Sequence, residues 1–319
     1  MHDALFQPIQ LGAIAAPNRI LMAPLTRGRA DAGAVPSARM IEYYRQRASS
    51  GLIISEATGI SREGYGWHAA PGIWNEAQTE AWKPVTEAVH QAGGRIVLQL
   101  WHMGRIVHSD YLDGQAPLSA SATTAPDHAH TPTGRKPHVE ARAATLDDIT
   151  RTIDDYTTAA RNAKAAGFDG VQLHGANGYF IDQFLRLSTN HRDDDYGVTP
   201  ENRTRLLRQV LERLVSVWGA DRVSVRLSPN GDSQGCDDPD PVAIFSEAAR
   251  VCQALELGFV ELRQPGPDGT FGRPYISNPD LVERIRVGAE WAPNVNVPQS
   301  WYLPGEAGYI DYPTMDAAG

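Results

Sequence analysis

Cysteine is scarce: Cys236 and Cys252 are the only two in 319 residues. That is too few for a disulfide framework or for a cysteine-built zinc site. No apolar run approaches the length of a membrane span. No basic run is present either, and 29 Lys and Arg stand against 38 Asp and Glu, for a net charge of −9. Such a balance argues against nucleic acid and anionic membrane surfaces as partners. The stretch from Met1 to Pro8 lacks the basic and apolar regions of a signal peptide, so a cytoplasmic location is the expectation. No Gly-x-Gly-x-x-Gly fingerprint opens a helix anywhere in the chain.

What remains is the composition of a globular protein, 42% hydrophobic and 21% charged. Its length suits one α/β barrel domain spanning 1–319. Short apolar strands alternate with longer helical patterns, the signature of parallel β/α units. Strands are expected at 19–24, 51–58, 95–102, 171–173, 222–227 and 259–263. Helices are expected at 37–49, 76–92, 146–166, 200–217 and 241–256. Between them lies 103–144, a long irregular stretch leaving the C-terminal end of a strand, where barrel enzymes place active-site insertions. His128 and His130 in it invite a metal reading, but Asp127 is the one acid beside them and no cysteine lies near in sequence, so a solvated loop is the better reading. Three aspartates at 193–195 are read in the same way, as a solvated or arginine-paired loop.

Residues 169–179, Asp-Gly-Val-Gln-Leu-His-Gly-Ala-Asn-Gly-Tyr, stand out. A buried strand ends by releasing His174, Asn177 and Tyr179 in quick succession. Three hydrogen-bonding side chains at a glycine-rich turn are poor core material and good material for holding a polarised substrate. Taken alone they read equally well as a β-turn with incidental polar residues.

The stretches that decide are Ala23-Pro24-Leu25-Thr26-Arg27, Ser55-Glu56-Ala57-Thr58, Gln99 through Arg105 (Gln-Leu-Trp-His-Met-Gly-Arg) and His174-Gly175-Ala176-Asn177-Gly178-Tyr179. Asn190-His191-Arg192, Glu201-Asn202-Arg203 and Val225-Arg226-Leu227-Ser228-Pro229 continue the series. In this order, five of the seven at the end of an expected strand, they resemble the Old Yellow Enzyme family of FMN-dependent ene-reductases. The resemblance implies a TIM (β/α)8-type barrel that reduces activated alkenes (enones, nitroalkenes, maleimides) with NAD(P)H in a ping-pong cycle. It implies that Pro24, Thr26, Ala57, Gln99 and Arg226 meet the flavin ring and that Arg273 meets its phosphate. A fixed guanidinium at the pyrimidine edge would stabilise the anion of reduced flavin. His174 and Asn177 would grip the activating oxygen, and Tyr179 would supply the proton. Trp101, Tyr65 and Tyr302 would shape the substrate pocket. Each residue also has a plainer reading: a turn threonine at 26, a barrel salt bridge at Arg226, a pocket wall at Tyr179, and packing for the remaining aromatics.

The strand count is where the chain departs from the family. Six strands are expected, two short of a (β/α)8 barrel. The shortage falls between about 264 and 272, where family members continue with strand seven, a helix and strand eight before a turn like Phe271-Gly272-Arg273-Pro274. Three outcomes are open: a chain that binds flavin weakly, closure by pairing with a second chain, or tighter closure of six strands. The first is the expectation, and its extreme is a non-catalytic barrel remnant. A metal-dependent hydrolase on a similar barrel is a further alternative, for which clustered ligands are missing. A smaller departure is Val198, where the family usually carries a second glycine after Gly197.

Overall fold

A computed structural model describes residues 3–263, 272–292, 301–302 and 304–315. The chain opens with an antiparallel hairpin of β1 (Ile9–Leu11) and β2 (Ile14–Ala16). The hairpin packs under the sheet, the Ala13 N–H donating to the Asp221 carbonyl at 2.8 Å. Gly12 makes the turn at φ 59°, and a Cβ there would lie 2.0 Å from that same carbonyl oxygen, so only glycine fits.

Of the six expected strands, five are laddered in parallel and in chain order. The second is two short pieces, β3 (Ile53–Ile54) and β4 (Thr58–Gly59), both on β5 (Ile96–Trp101). Ser55 separates the pieces, accepting the Gln99 N–H on its hydroxyl at 3.1 Å. The others are β10 (Gly170–Gly175), β11 (Val223–Leu227) and β12 (Phe259–Leu262). The expected first strand, 19–24, is reduced to a single bridge between Met22 and Ile53. It has a partner on one side only, and Pro24 ends it without an N–H to donate. β5, β10 and β11 are buried along their whole length, as strands covered on both faces are. β12 instead alternates half-buried and exposed residues. Among the described residues β12 pairs only with β11, so the sheet curls without closing, and the tighter six-stranded closure is not what forms.

The stretch 103–144 is more ordered than its composition suggests. β6 (Leu118–Ser119) pairs with β9 (Arg142–Ala143), and between them β7 (His128–Thr131) and β8 (Gly134–Pro137) form a hairpin. Strand signals this short are hidden among Pro, Ala and Thr. Helices α1 (Ala38–Arg45), α2 (Glu76–Gln91) and α3 (Leu146–Ala165) follow their strands as expected. Asn75 with Gln78 and Thr145 with Asp148 form capping boxes that start α2 and α3. α4 (Phe180–Leu185) springs directly from the turn after β10. The expected helix 200–217 breaks at Thr204 into α5 (Pro200–Arg203) and α6 (Arg205–Trp218). Leu207, Val210, Leu211 and Leu214 of α6 recur at helical spacing and are buried, and Gly219 stops the helix. α7 (Pro241–Ala254) leads into β12.

Beyond the junction, α8 (Pro274–Ser277) and α9 (Leu281–Val287) return to the start of the barrel. Arg47, buried in the loop after α1, donates from Nε to the Tyr275 carbonyl at 3.0 Å and from Nη2 to that of Ile276 at 3.1 Å. Arg27 similarly holds the carbonyls of Trp301 at 3.2 Å and Gly308 at 2.6 Å, while Tyr43 stacks on Tyr309 at 4.2 Å. The last described segment is thereby clamped onto the first β/α unit. Most of the junction, residues 264–271 including Phe271, lies outside the described residues.

Candidate active site

Side chains two apart on a strand share a face, so Gln172 and His174 of β10 point the same way. The register places Gln172 beside Gln99 of β5, His174 beside Arg226 of β11, and Arg226 beside Glu261 of β12. Gln99 Nε2 donates to Gln172 Oε1 at 2.7 Å, and Gln172 Nε2 donates to Glu261 Oε2 at 3.1 Å. Arg226 Nε lies 3.1 Å from Glu261 Oε1, yet neither atom is aligned for a hydrogen bond. The pair is a charge contact with unused bonding capacity on both sides. Burial raises the Glu261 carboxyl and lowers Arg226, each opposed by the other's charge.

At the strand ends, the Trp101 and Tyr179 rings meet edge to face at 5.1 Å, and His174 and Tyr179 at 5.0 Å. Ala57, buried after β3, belongs to the same apolar cluster as Trp101 and Met103, against which Tyr65, Trp67 and Tyr179 pack. His174 is 3% exposed and its Nδ1 has no partner among the described residues; nor has Trp101 Nε1 or Asn177 Oδ1. Burial, followed by the charges of Arg226 and Arg263, holds His174 well below its ordinary pKa. It is a neutral imidazole at physiological pH, able to donate one hydrogen bond. Burial pushes the Tyr179 phenol up to about 12, so it keeps its proton.

Asn177 sits in the left-handed region at φ 62°, and Gly178 follows at φ 76°. A Cβ on Gly178 would stand 2.4 Å from the Ser233 carbonyl oxygen, so glycine is required. The turn is pinned from three sides. Asn177 N–H donates to Ser228 Oγ at 3.0 Å, Gln234 Nε2 donates to the Asn177 carbonyl at 2.9 Å, and Gly178 N–H donates to Asp182 Oδ2 at 2.9 Å. A cavity of about 410 Å³ opens beside Tyr179, bounded by Trp67, Met103, His130 and His138. A second cleft of about 730 Å³ is lined by Tyr65, Trp74, Tyr111 and Tyr302. Trp67 and Tyr302 touch at 5.4 Å where the two approach each other.

Pro24 is buried and Thr26 half-buried after the first strand, where Glu56 Oε2 accepts the Arg27 N–H at 3.1 Å. Arg273 stands apart from the ring cluster. It is exposed, with its guanidinium 5.4 Å from the Trp301 ring centroid. The polar chain of Gln172 and Glu261, and the Ser228 and Gln234 supports, were not singled out from sequence. Glu261 stood out locally as an acid interrupting an apolar strand two residues before Arg263, but its partners in neighbouring strands could not be read.

A parallel β/α sheet here gathers aromatic and hydrogen-bonding side chains at its strand ends, where barrel enzymes build their active sites. The chain belongs to the NADH:flavin oxidoreductase / NADH oxidase family, which it matches over residues 4–262, and within it to the Old Yellow Enzymes. It is 44% identical to 12-oxophytodienoate reductase 1 of Oryza sativa subsp. japonica, over 98% of this chain and 93% of that protein. A probable flavin mononucleotide-dependent alkene reductase of Leishmania infantum is 36% identical, over 98% of each. Among solved structures, the old yellow enzyme homologue from Zymomonas mobilis superposes with a TM-score of 0.93 at 48% identity, covering 97% of this chain and 99% of that one. Morphinone reductase in complex with tetrahydroNAD also gives 0.93, at 39% identity over 99% and 98%. The rice alignment runs over 362 positions, whereas this chain has 319 residues, so at least 43 positions face gaps in it. FMN and a nicotinamide donor are the cofactors of this chemistry, the reduction of small activated alkenes. The residues present fit the flavin ring. Ala57 leaves a small buried floor, Thr26 offers a half-exposed hydroxyl, and buried polar atoms at the strand ends have bonding capacity to spare. Toward the phosphate, Arg273 alone of the sequence-expected partners lies in the described residues.

Proposed function

We propose that this chain reduces the C=C bond of an enone, nitroalkene or maleimide with residues 174–179 as its working edge. The observation that carries the reading is the cluster of His174, Asn177 and Tyr179, in which polar atoms without partners among the described residues stand beside a phenol held protonated. FMN, when bound, supplies the hydride. His174 and the Asn177 amide donate hydrogen bonds to the substrate's carbonyl or nitro oxygen, polarising the alkene and stabilising the charge that develops there. Tyr179 gives its Oη proton to the α-carbon as a general acid. Trp101 packs edge-on to Tyr179 and fixes the direction of that proton, while Trp67, Tyr65 and Tyr302 keep water from the pocket. Thr26 and Gln99 hold the ring edge, with Arg226 supplying positive charge at the pyrimidine side once Glu261 shares it.

The test is Tyr179→Phe. Flavin reduction by NAD(P)H should proceed at the parent rate, while reoxidation by an enone should slow by about 10²–10⁴-fold, the usual range for a lost general acid. Equal rates in both half-reactions would remove Tyr179 from the mechanism.

The chain is, we infer, one barrel domain that lacks a β/α segment between about 264 and 272. Support comes from the family match ending at 262, from the gapped positions, and from a β12 edge that has no second partner among the described residues. Coding DNA that carries the extra segment in frame across 266–276 would overturn this. The same features favour a second reading, a flavin-poor remnant. A yellow protein that bleaches on adding NADPH supports the enzyme, and a colourless product supports the remnant.

A further inference from the structure

Among the described residues the side of the sheet beyond β12 is open, and it has a definite chemical character. Arg263 donates its N–H to the Leu227 carbonyl at 2.8 Å, and Arg226 pairs with Glu261. The backbone groups of Glu261 and Arg263 therefore face β11. Because these directions alternate along a strand, the N–H and C=O of Val260 and Leu262 face the free edge. Their side chains are 42% and 48% exposed, and Val242 at the start of α7 is 74% exposed. Behind them lies an apolar cavity of about 590 Å³ lined by Leu227, Phe245, Cys252, Leu257, Val260 and Leu262. A closed barrel fills this space with its next β/α unit.

We propose that the occupant of this edge is a second copy of the same chain, its β12 antiparallel to the first about a two-fold axis at Leu262. Only an edge with outward-facing backbone groups at the axis forms a hydrogen-bonded pair with itself, and Leu262 has them. In antiparallel pairing, directly opposite residues share a face. An axis at Leu262 sets Leu262 against its own copy on the apolar outer face, and sets Glu261 against Arg263 of the other copy, twice, on the inner face. Arg263 donates from Nη1 to Ser233 Oγ at 3.1 Å but makes no ion pair among the described residues, so each copy offers an unneutralised cation to the other's acid. Shifting the axis to Glu261 would oppose two buried carboxylates directly, which is unfavourable. Charge thus selects one register. A two-fold contact also closes on itself, giving dimers and no open-ended fibre.

The test uses the full chain. Light scattering across a hundredfold range of concentration should show a mass rising to twice 34.8 kDa. Leu262→Lys, at an exposed position, should weaken association at least about tenfold with an unchanged circular dichroism spectrum. Arg263→Glu should weaken it as well. Leu262→Cys should form an interchain disulfide on mild oxidation, since a hydrogen-bonded antiparallel pair brings the Cα atoms to about 5.5 Å. Val260→Cys should not, because its copies lie on opposite sides of the axis. The native Cys236 and Cys252 are buried and should not compete. A monomer at every concentration overturns the proposal. So does a dimer indifferent to Leu262→Lys, cross-linking through Val260→Cys in place of Leu262→Cys, or a ladder of larger assemblies, which would mean head-to-tail pairing.

Discussion

Val198 carries a β-branched side chain at φ 68°, a backbone region that suits glycine, and it is 62% exposed. Nothing is gained from the side chain to offset the strain. Val198→Gly is expected to raise stability by about 1 kcal/mol, less the extra chain entropy that glycine brings to the unfolded state, as read by urea unfolding. An unchanged or lower midpoint would show that the loop relaxes around valine at no cost. The same residue illustrates what the sequence made visible. His174, Asn177 and Tyr179 could be read in one line because a strand end and its turn deliver them within six residues. Glu261 could not, because its meaning depends on Arg226 and Gln172 in neighbouring strands, and register is set by tertiary packing. Val198 was visible as a departure, but its strain is a property of the backbone and not of the letters.

Among the elements, the helices were the most legible, since capping boxes and periodic apolar faces are local signals. The β7–β8 hairpin was missed because two four-residue strands with mixed polarity give no period to count. The first strand was overcalled because its apolar run was real but, among the described residues, it has no second neighbour. α5 is tied to the loop that leads into α7 by a device that no pattern announces, the buried ion pair of Arg203 with Asp238, whose side chains are 4% and 0% exposed. Asp238 also accepts the Leu187 N–H at 3.0 Å, so it ties the end of α4 into the same knot. Asp238→Ala leaves the Arg203 charge buried without a counter-ion and is expected to cost about 3–5 kcal/mol. Denaturant unfolding measures this; a loss under about 1 kcal/mol would mean that the guanidinium finds water.

At the scale of the whole molecule, the two ends of the flavin site are unequal. In the site we propose, the ring-facing residues come from the described strands, whereas the phosphate side would rest on Arg273. FMN is therefore expected to bind only about tenfold, or less, more tightly than riboflavin, and Arg273→Ala should erase that preference while leaving riboflavin unaffected. Fluorescence-quenching titrations with both flavins decide it, and an FMN advantage of several orders of magnitude would mean that a full phosphate cradle exists. The barrel lineage was legible because its motifs sit on strand ends spread along the chain. The open edge was legible only as a shortfall in strand count, since a sequence does not say what stands in for a missing neighbour.

The arginine clamp adds a dimension of time. Arg27 grips carbonyls 274 and 281 positions further along the chain, and Arg47 one that lies 228 positions away. A ribosome delivers the first β/α unit long before those carbonyls exist, so the cations that end up buried spend most of synthesis in water. Contacts of such long range are slow to form. The first unit cannot mature when it is made; it waits for the tail, and a chain stopped early would leave its opening unit uncovered and prone to capture by other chains.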